Sequence, residues 1–400
     1  MQVNTLILGA GAAGLYAAAH AGPGTLVIDH ARAAGEKIRI SGGGRCNFTN
    51  RDATAAQFIS ANPHFAKSAL ARHTPADFVA LVTAHGIGWH EKALGQLFCD
   101  RTARDIIAML TGMVAAAGAQ LWLRTTVGTV THGPGGFTVA LLRDGRGVSV
   151  TAQHLIVATG GKSIPKMGAT GLAYQIAAQF GLPVTDTRPA LVPFTFAPEA
   201  FAGLAGVACQ VSARAPRGPA FDEAMLFTHR GLSGPALLQA SSYWREGEAL
   251  TLSLARGTDL GAALRLARRA APKRALTTVL SHHLPARLVA HLAGMPDMTD
   301  MTGTIGALGD AAIDGVAARL AAWTLRPTGT EGYRTAEVTL GGVDTDALSA
   351  RTMMARAVPG LFFIGECVDV TGWLGGYNFQ WAWSSGFAAG TAIAAGRAPD

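Results

Sequence analysis

The chain has few cysteines and little charge for its length. Only 15% of its 400 residues are charged, and four are cysteines. Cys46, Cys99, Cys209 and Cys367 are widely spaced with no C-x-x-C pair, which argues against a redox dithiol and against a zinc site. A reducing, cytoplasmic setting is the expectation. No apolar run approaches the roughly 18 residues needed to cross a bilayer, so no membrane partner is expected. The first residues lack a basic stretch and a cleavage site, so they do not read as a signal peptide. Despite 50 glycines there is no repeat and no low-complexity tract. A strand–G-x-G-x-x-G–helix unit is also missing from residues 100–335. No dedicated NAD(P)H domain is therefore expected. NAD(P)H would dock transiently as electron donor, or the substrate itself would be the donor.

The apolar share is 49%, enough for a large core, and the length suggests two or three domains. The net charge of +7 fits an acidic partner such as RNA, or only a solubilising surface. Arg265, Arg268, Arg269, Lys273 and Arg274 form the densest basic cluster.

What is present begins at the first residues. Leu6-Ile7-Leu8 runs into Gly9-Ala10-Gly11-Ala12-Ala13-Gly14, and Val27-Ile28-Asp29 follows. Strand, glycine turn, small-residue helix and second strand with an acid make a dinucleotide-binding βαβ unit. Gly9 permits the turn, and Gly11 admits a pyrophosphate. Gly14 allows close helix packing, and the N–H groups at Ala12 and Ala13 face the phosphates. Asp29, with His30 beside it, is placed to meet a ribose hydroxyl.

The far end says which dinucleotide. A hydrophobic strand closes on Gly365-Glu366, and Gly375-Gly376-Tyr377-Asn378 opens a small-residue helix. An acid at that strand end suits a ribityl chain, and the helix start suits the electron-rich pyrimidine edge of an isoalloxazine. NAD has no ribityl chain, so the pair of segments favours FAD. Between them, Ile156–Ala158 closes on Thr159-Gly160-Gly161, a third turn expected near the cofactor.

Along the chain, residues 54–118 read largely as helices and residues 126–157 as a β-meander. Prolines 183, 189, 193 and 198 mark a boundary. The expected architecture is α/β, with a discontinuous cofactor domain of residues 1–188 and 335–400. An insertion of residues 189–334 interrupts it, with a β part to about 256 and a helical part after it.

Five stretches resemble the aminoacetone oxidase family of FAD-binding flavoproteins, the YhiN/BaiN-like NAD(P)/FAD-dependent oxidoreductases. They are Gly9–Gly14, Ile40–Asn50, Ala158–Lys166, Phe227–Pro235, and Val338–Gly342 with Gly365–Gly386. The resemblance implies a Rossmann-like FAD domain of the glutathione- or fumarate-reductase type. It also implies an inserted β-barrel and a helical subdomain similar to helix–two-turn–helix modules of nucleic-acid-binding proteins.

Further candidates follow. Ser41 and Gly42–Gly44, flanked by Lys37, Arg45, Cys46 and Asn47, offer a side-chain-free stretch for a planar ring or its anionic edge. Cys46 is a candidate proton donor or redox thiol, its pKa expected to be lowered by Arg45. His229 would shuttle a proton, and Arg230 would bind a carbonyl or anionic group from a loop of the insertion reaching over the flavin. Tyr377 would line the substrate pocket, while Asn378 would fix the last helix. Lys162 and Lys166 would neutralise phosphates or be solvated. No histidine stands out as a covalent anchor, so FAD is expected to bind non-covalently.

The expected activity is hydride transfer between flavin N5 and a small or planar unsaturated substrate, by conjugated C=C reduction or by aminoketone or amine oxidation. One alternative is an RNA-binding flavoenzyme making dihydrouridine. Another is a flavin-binding sensor with little turnover.

Overall fold

The computed structural model describes residues 1–296 and 301–396. It divides into two compact units, residues 1–189 with 338–400, and residues 190–337.

The first unit is built on a sheet whose strands run, in spatial order, 120–122, 25–28, 2–8, 146–157, 136–143 and 125–133. The strand Leu361–Phe363 adds to the end of 146–157. Near-continuous apolar runs make the parallel part, as strands covered on both faces require. Leu6, Ile7, Leu8, Leu155, Ile156, Val157 and Phe362 are all fully buried. The long strand Arg146–Val157 serves two partners: its first half pairs antiparallel with Gly136–Arg143, and its end pairs parallel with Leu361–Phe363.

Register brings four strand ends to one edge. Leu8 pairs with Val157 and with Ile28, and Val157 pairs with Phe363. From Leu8 the chain leaves through the helix Ala12–Ala21 to Thr25–Ile28 on one side, while Arg146–Val157 lies on the other. That reversal is a topological switch point, where doubly wound sheets hold their ligands.

The helices Ala12–Ala21 and Tyr377–Ala394 pack backbone to backbone. A Cβ on Gly386 would stand 2.7 Å from the Ala13 carbonyl oxygen. A small three-stranded sheet, 47–50, 96–99 and 89–91, completes this unit's part in the site. The helices of 54–118 are interrupted by two strands of this sheet, the edge strand Trp89–Glu91 and the central strand Gln96–Cys99.

The second unit holds a seven-stranded antiparallel sheet in the order 323–325, 250–253, 208–214, 220–227, 231–233, 194–195, 329–330. Its helical part includes Leu260–Ala270, which buries Leu260 and Leu264. Part of the basic cluster is taken up in ion pairs. Arg265 pairs with Asp314 at 2.5 Å, and Arg268 pairs with Asp310 at 2.5 Å. Both guanidiniums serve to join this helix to Asp310–Ala321, which leaves Arg269, Lys273 and Arg274 exposed.

Candidate active site

At the switch point the backbone does most of the binding work. Gly9 has φ +111°, and a Cβ there would lie 2.4 Å from the Ala158 oxygen. A Cβ on Gly14 would lie 1.9 Å from the Gly9 oxygen, whereas one on Gly11 would meet nothing within 4 Å. Two glycines are thus demanded by the fold, and the third faces open space. The helix after them has neither a side-chain cap nor an acidic residue in its first turn, so the N–H groups of Ala12 and Ala13 are open to an anion. Asp29 accepts from the Ala10 N–H at 2.7 Å and the Ala31 N–H at 2.8 Å. Each carboxylate oxygen keeps a second lone pair for a ribose hydroxyl. His30 Nδ1 lies 3.3 Å from Asp29.

The third turn carries a further sign of a polar ligand. The Thr159 hydroxyl is buried with no hydrogen-bond partner among the described residues, and a buried orphan of this kind is costly unless a ligand or water meets it. Beyond it, a Cβ on Gly161 would stand 2.3 Å from Thr339 Oγ1 and 2.7 Å from Glu366 Oε1.

Glu366 is more occupied than an open ribityl acceptor would be. Lys37 Nζ donates to Oε2 at 2.9 Å, and Ser163 Oγ and the Thr339 N–H donate to Oε1 at 2.7 and 3.1 Å. Three of about four acceptor positions are filled. Burial alone would raise this carboxyl, but the Lys37 ammonium and these hydrogen bonds hold it below the usual carboxylate range. Thr339 Oγ1 in turn accepts from the Lys162 N–H at 2.8 Å and the Ser163 N–H at 3.2 Å. Glu366 and Thr339 therefore clamp the turn after Val157 to the turn after Phe363. Ser163 and Thr339 lie in stretches that carry the family resemblance, but only the fold brings them to the acid.

The loop Ser41–Gly44 makes a short 3-10 turn with Gly42 at φ +56° and Gly43 at φ +66°. Both glycines and Arg45 are exposed. Cys46 behaves differently from expectation. It is fully buried, and burial pushes its thiol pKa up despite a hydrogen bond with Ser41. The expected lowering by Arg45 is absent, because the guanidinium is in solvent while the sulfur is in the core.

The last helix starts at Gly376, again with no side-chain cap and no acid in its first turn. Its glycine pair is held from the three-stranded sheet: Asn50 Nδ2 donates to the Gly375 oxygen at 3.0 Å. With its amide turned, Asn47 accepts from the Gly376 N–H at 3.3 Å. Asn378 accepts from the Gly372 N–H and donates to the Gly372 oxygen, both at 2.8 Å. It ties the preceding loop to the helix. Tyr377 is buried edge-on to Phe58 and Trp373. Lys162 donates to Thr187 at 2.8 Å, and Lys166 is exposed.

In the second unit, His229 and Arg230 occupy the exposed tip of the hairpin between Ala220–Phe227 and Gly231–Ser233. Thr228 shapes that tip by accepting from the N–H groups of Arg230 and Gly231 at 3.2 and 3.1 Å.

Two uncapped helix starts flank a glycine-lined switch point whose acid is clamped by a lysine. With a Rossmann-type sheet beneath them, they define an FAD-dependent oxidoreductase. The residues fit the cofactor: open N–H donors, an open face at Gly11 and an orphan hydroxyl at Thr159 all lie at the strand ends. The chain belongs to the family described as HI0933-like protein Rossmann domain, whose model matches residues 3–392.

Among curated proteins, it is 49% identical to the ribosomal RNA dihydrouridine synthase of Escherichia coli, over 97% of each chain. It is 44% identical to the protein of the same name from Haemophilus influenzae, over 98% of each. Among solved structures, the 3-ketosteroid-delta4-(5alpha)-dehydrogenase of Rhodococcus jostii shares the fold. There the TM-score is 0.53 at 16% identity, covering 98% of this chain and 97% of that one.

Proposed function

We propose that this chain reduces uridine in ribosomal RNA to dihydrouridine, drawing electrons from NAD(P)H. The observation that carries the reading is 49% identity to a ribosomal RNA dihydrouridine synthase across 97% of both chains. The uncapped helix starts, the free acceptor positions of Asp29 and the orphan hydroxyl of Thr159 support a bound FAD at the strand ends.

When bound, FAD supplies the hydride that saturates the C5–C6 bond of uracil. The N–H groups of Ala12 and Ala13 hold its diphosphate, and Asp29 holds a ribose hydroxyl. Gly42–Gly44 would contact the ring, and the N–H groups at the start of the last helix would serve its pyrimidine edge. Lys37 and Glu366 fix the turns rather than react. Hydride would add to C6 and a proton to C5. Arg269, Lys273 and Arg274 contact RNA phosphates.

The test is anaerobic incubation of the purified protein with unmodified ribosomal RNA and NADPH or NADH. The RNA is then digested and its nucleosides measured by mass spectrometry. Dihydrouridine that depends on the nicotinamide is the expected result. RNA left unchanged, while the same enzyme reduces a small enone or oxidises an aminoketone, would replace the reading with a small-molecule oxidoreductase. Acid precipitation is expected to release the yellow colour, as non-covalent FAD requires.

A further inference from the structure

We propose that Leu94 is a wedge that takes the stacking place of a uridine drawn out of folded RNA. The inference rests on the RNA reading above. Leu94 sits between the strands Trp89–Glu91 and Gln96–Cys99, and its side chain is 62% exposed. Its backbone is left-handed, at φ 58° and ψ 37°. A bulky residue rarely adopts that conformation, which glycine or asparagine takes at less cost. Neither burial nor backbone geometry therefore accounts for leucine here, and strain at an exposed apolar tip points to a role outside folding.

The tip is built rigidly. Asn50 Nδ2 donates to the Leu94 oxygen at 2.9 Å. The Lys92 N–H donates to the Gln96 oxygen, and the Arg51 N–H to the Gly95 oxygen, both at 2.8 Å. The same Asn50 amide donates to the Gly375 oxygen at 3.0 Å. One side chain thus couples the tip to the turn that opens the last helix. On the strand side, the Lys92 ammonium lies 5.4 Å from the centre of the Phe98 ring. It is exposed, with no carboxylate partner among the described residues.

An apolar side chain with a cation two positions away fits one partner chemistry: stacked bases on a phosphate backbone. An enzyme acting on a base in folded RNA must take it out of the stack. Apolar side chains pushed between base steps hold stacks open, and lysines meet the flanking phosphates. Fixed to the Gly375 turn, Leu94 would open the stack beside the place where the uracil must be presented.

The experiment compares Leu94→Asn, which suits the left-handed backbone but is polar, with Leu94→Met, which keeps the apolar reach. Leu94→Asn is expected to keep its FAD and melt at or above the wild-type temperature. Its kcat on ribosomal RNA should fall about tenfold or more, with KM for RNA changed less than about twofold. On polyuridylate, whose bases are scarcely stacked, it should match the wild type. Leu94→Met should restore the rate on ribosomal RNA. A Leu94→Asn enzyme with wild-type kcat on ribosomal RNA overturns the wedge and leaves the RNA reading intact. So does one slowed equally on polyuridylate, or on a small enone, because Leu94 would then line the reacting pocket. A wild-type enzyme that makes no dihydrouridine in any RNA overturns both.

Discussion

Two glycine turns open the helices Ala12–Ala21 and Tyr377–Ala394 of the first unit, and they are held in different ways. At Gly9–Gly14 the constraint is backbone against backbone: carbonyls of Gly9 and Ala158 occupy the space a Cβ would need. At Gly375–Gly376 backbone also presses on backbone, since a Cβ on Gly376 would stand 2.4 Å from the Thr49 carbonyl, but side chains from a separate sheet, Asn50 and Asn47, fasten the turn as well, with Asn378 tying the loop before it. In the first turn Gly9 and Gly14 admit no Cβ while Gly11 does. The second turn adds side-chain hydrogen bonds from distant segments of the chain. The same contrast separates the helices behind the turns. The helix Ala12–Ala21 packs through small residues, while the last helix is also docked through the His73 oxygen, which accepts from Gln380 and Ser384.

The sharpest break of this comparison is within the first turn. Gly14→Ala is expected to cost about 3 kcal/mol or more and to abolish FAD binding, because a closely packed backbone must move. Gly11→Ala should leave the melting temperature unchanged and weaken only FAD retention. Thermal melts and the flavin absorbance per chain separate the two, and equal melts would remove the distinction between demanded and open glycines.

Acid should act where His73 joins the two helices, through Tyr16 of the first and Phe387 of the last. The His73 ring is buried, hydrogen-bonded to the Tyr16 hydroxyl at 2.9 Å and stacked on Phe387. Burial lowers its pKa from 6.5 to about 4, only partly offset by Asp77. The folded state therefore binds this proton less readily than the unfolded chain. Its stabilising contribution is whole above pH 6.5 and falls away as pH drops toward 4. The size is about 3 kcal/mol. Denaturant unfolding at neutral and mildly acid pH should show this loss, and His73→Gln should shrink it.

Next in size is Lys37→Met, which strands the Glu366 carboxylate. The pair is partly open to solvent, with side chains 35% and 19% exposed, so the expected loss is about 2 kcal/mol rather than that of a fully buried pair. Glu366 has a depressed folded pKa. The contribution it makes is present above the ordinary value of 4.5 and disappears as pH falls below it. The destabilisation by Lys37→Met should accordingly narrow in acid, as unfolding curves would show.

Asn50→Ala should have a smaller effect on folding than Lys37→Met and a visible effect on function. It removes one bond to Leu94 and one to Gly375. FAD retention should weaken about tenfold, corresponding to about 1.4 kcal/mol. Unchanged FAD affinity would show that the Gly375 turn holds without the sheet.

Much of the cofactor unit was legible because its determinants are contiguous. Leu6-Ile7-Leu8, the glycines after them and Asp29 lie within one βαβ unit, and apolar run, turn and acid each have a local physical reason. The Cys46 expectation failed for the opposite reason. Its neighbour in sequence, Arg45, points to solvent while the thiol packs in the core, so adjacency in the chain said nothing of electrostatic adjacency. Glu366 was legible as an acid at a strand end, but its partners were not.

The sequence by itself determined that the chain carries a glycine turn between an apolar strand and a small-residue helix, and hence a dinucleotide-binding Rossmann unit, with Gly365-Glu366 and Gly375–Asn378 pointing to FAD, because strand, turn and helix are set by short-range periodicity and sterics. Only the tertiary structure decided that Lys37, Ser163 and Thr339 converge on Glu366, and that one asparagine, Asn50, joins Leu94 to Gly375. Those contacts link segments far apart in the chain, and strand register and crossover connections, not local pattern, bring them within hydrogen-bond reach.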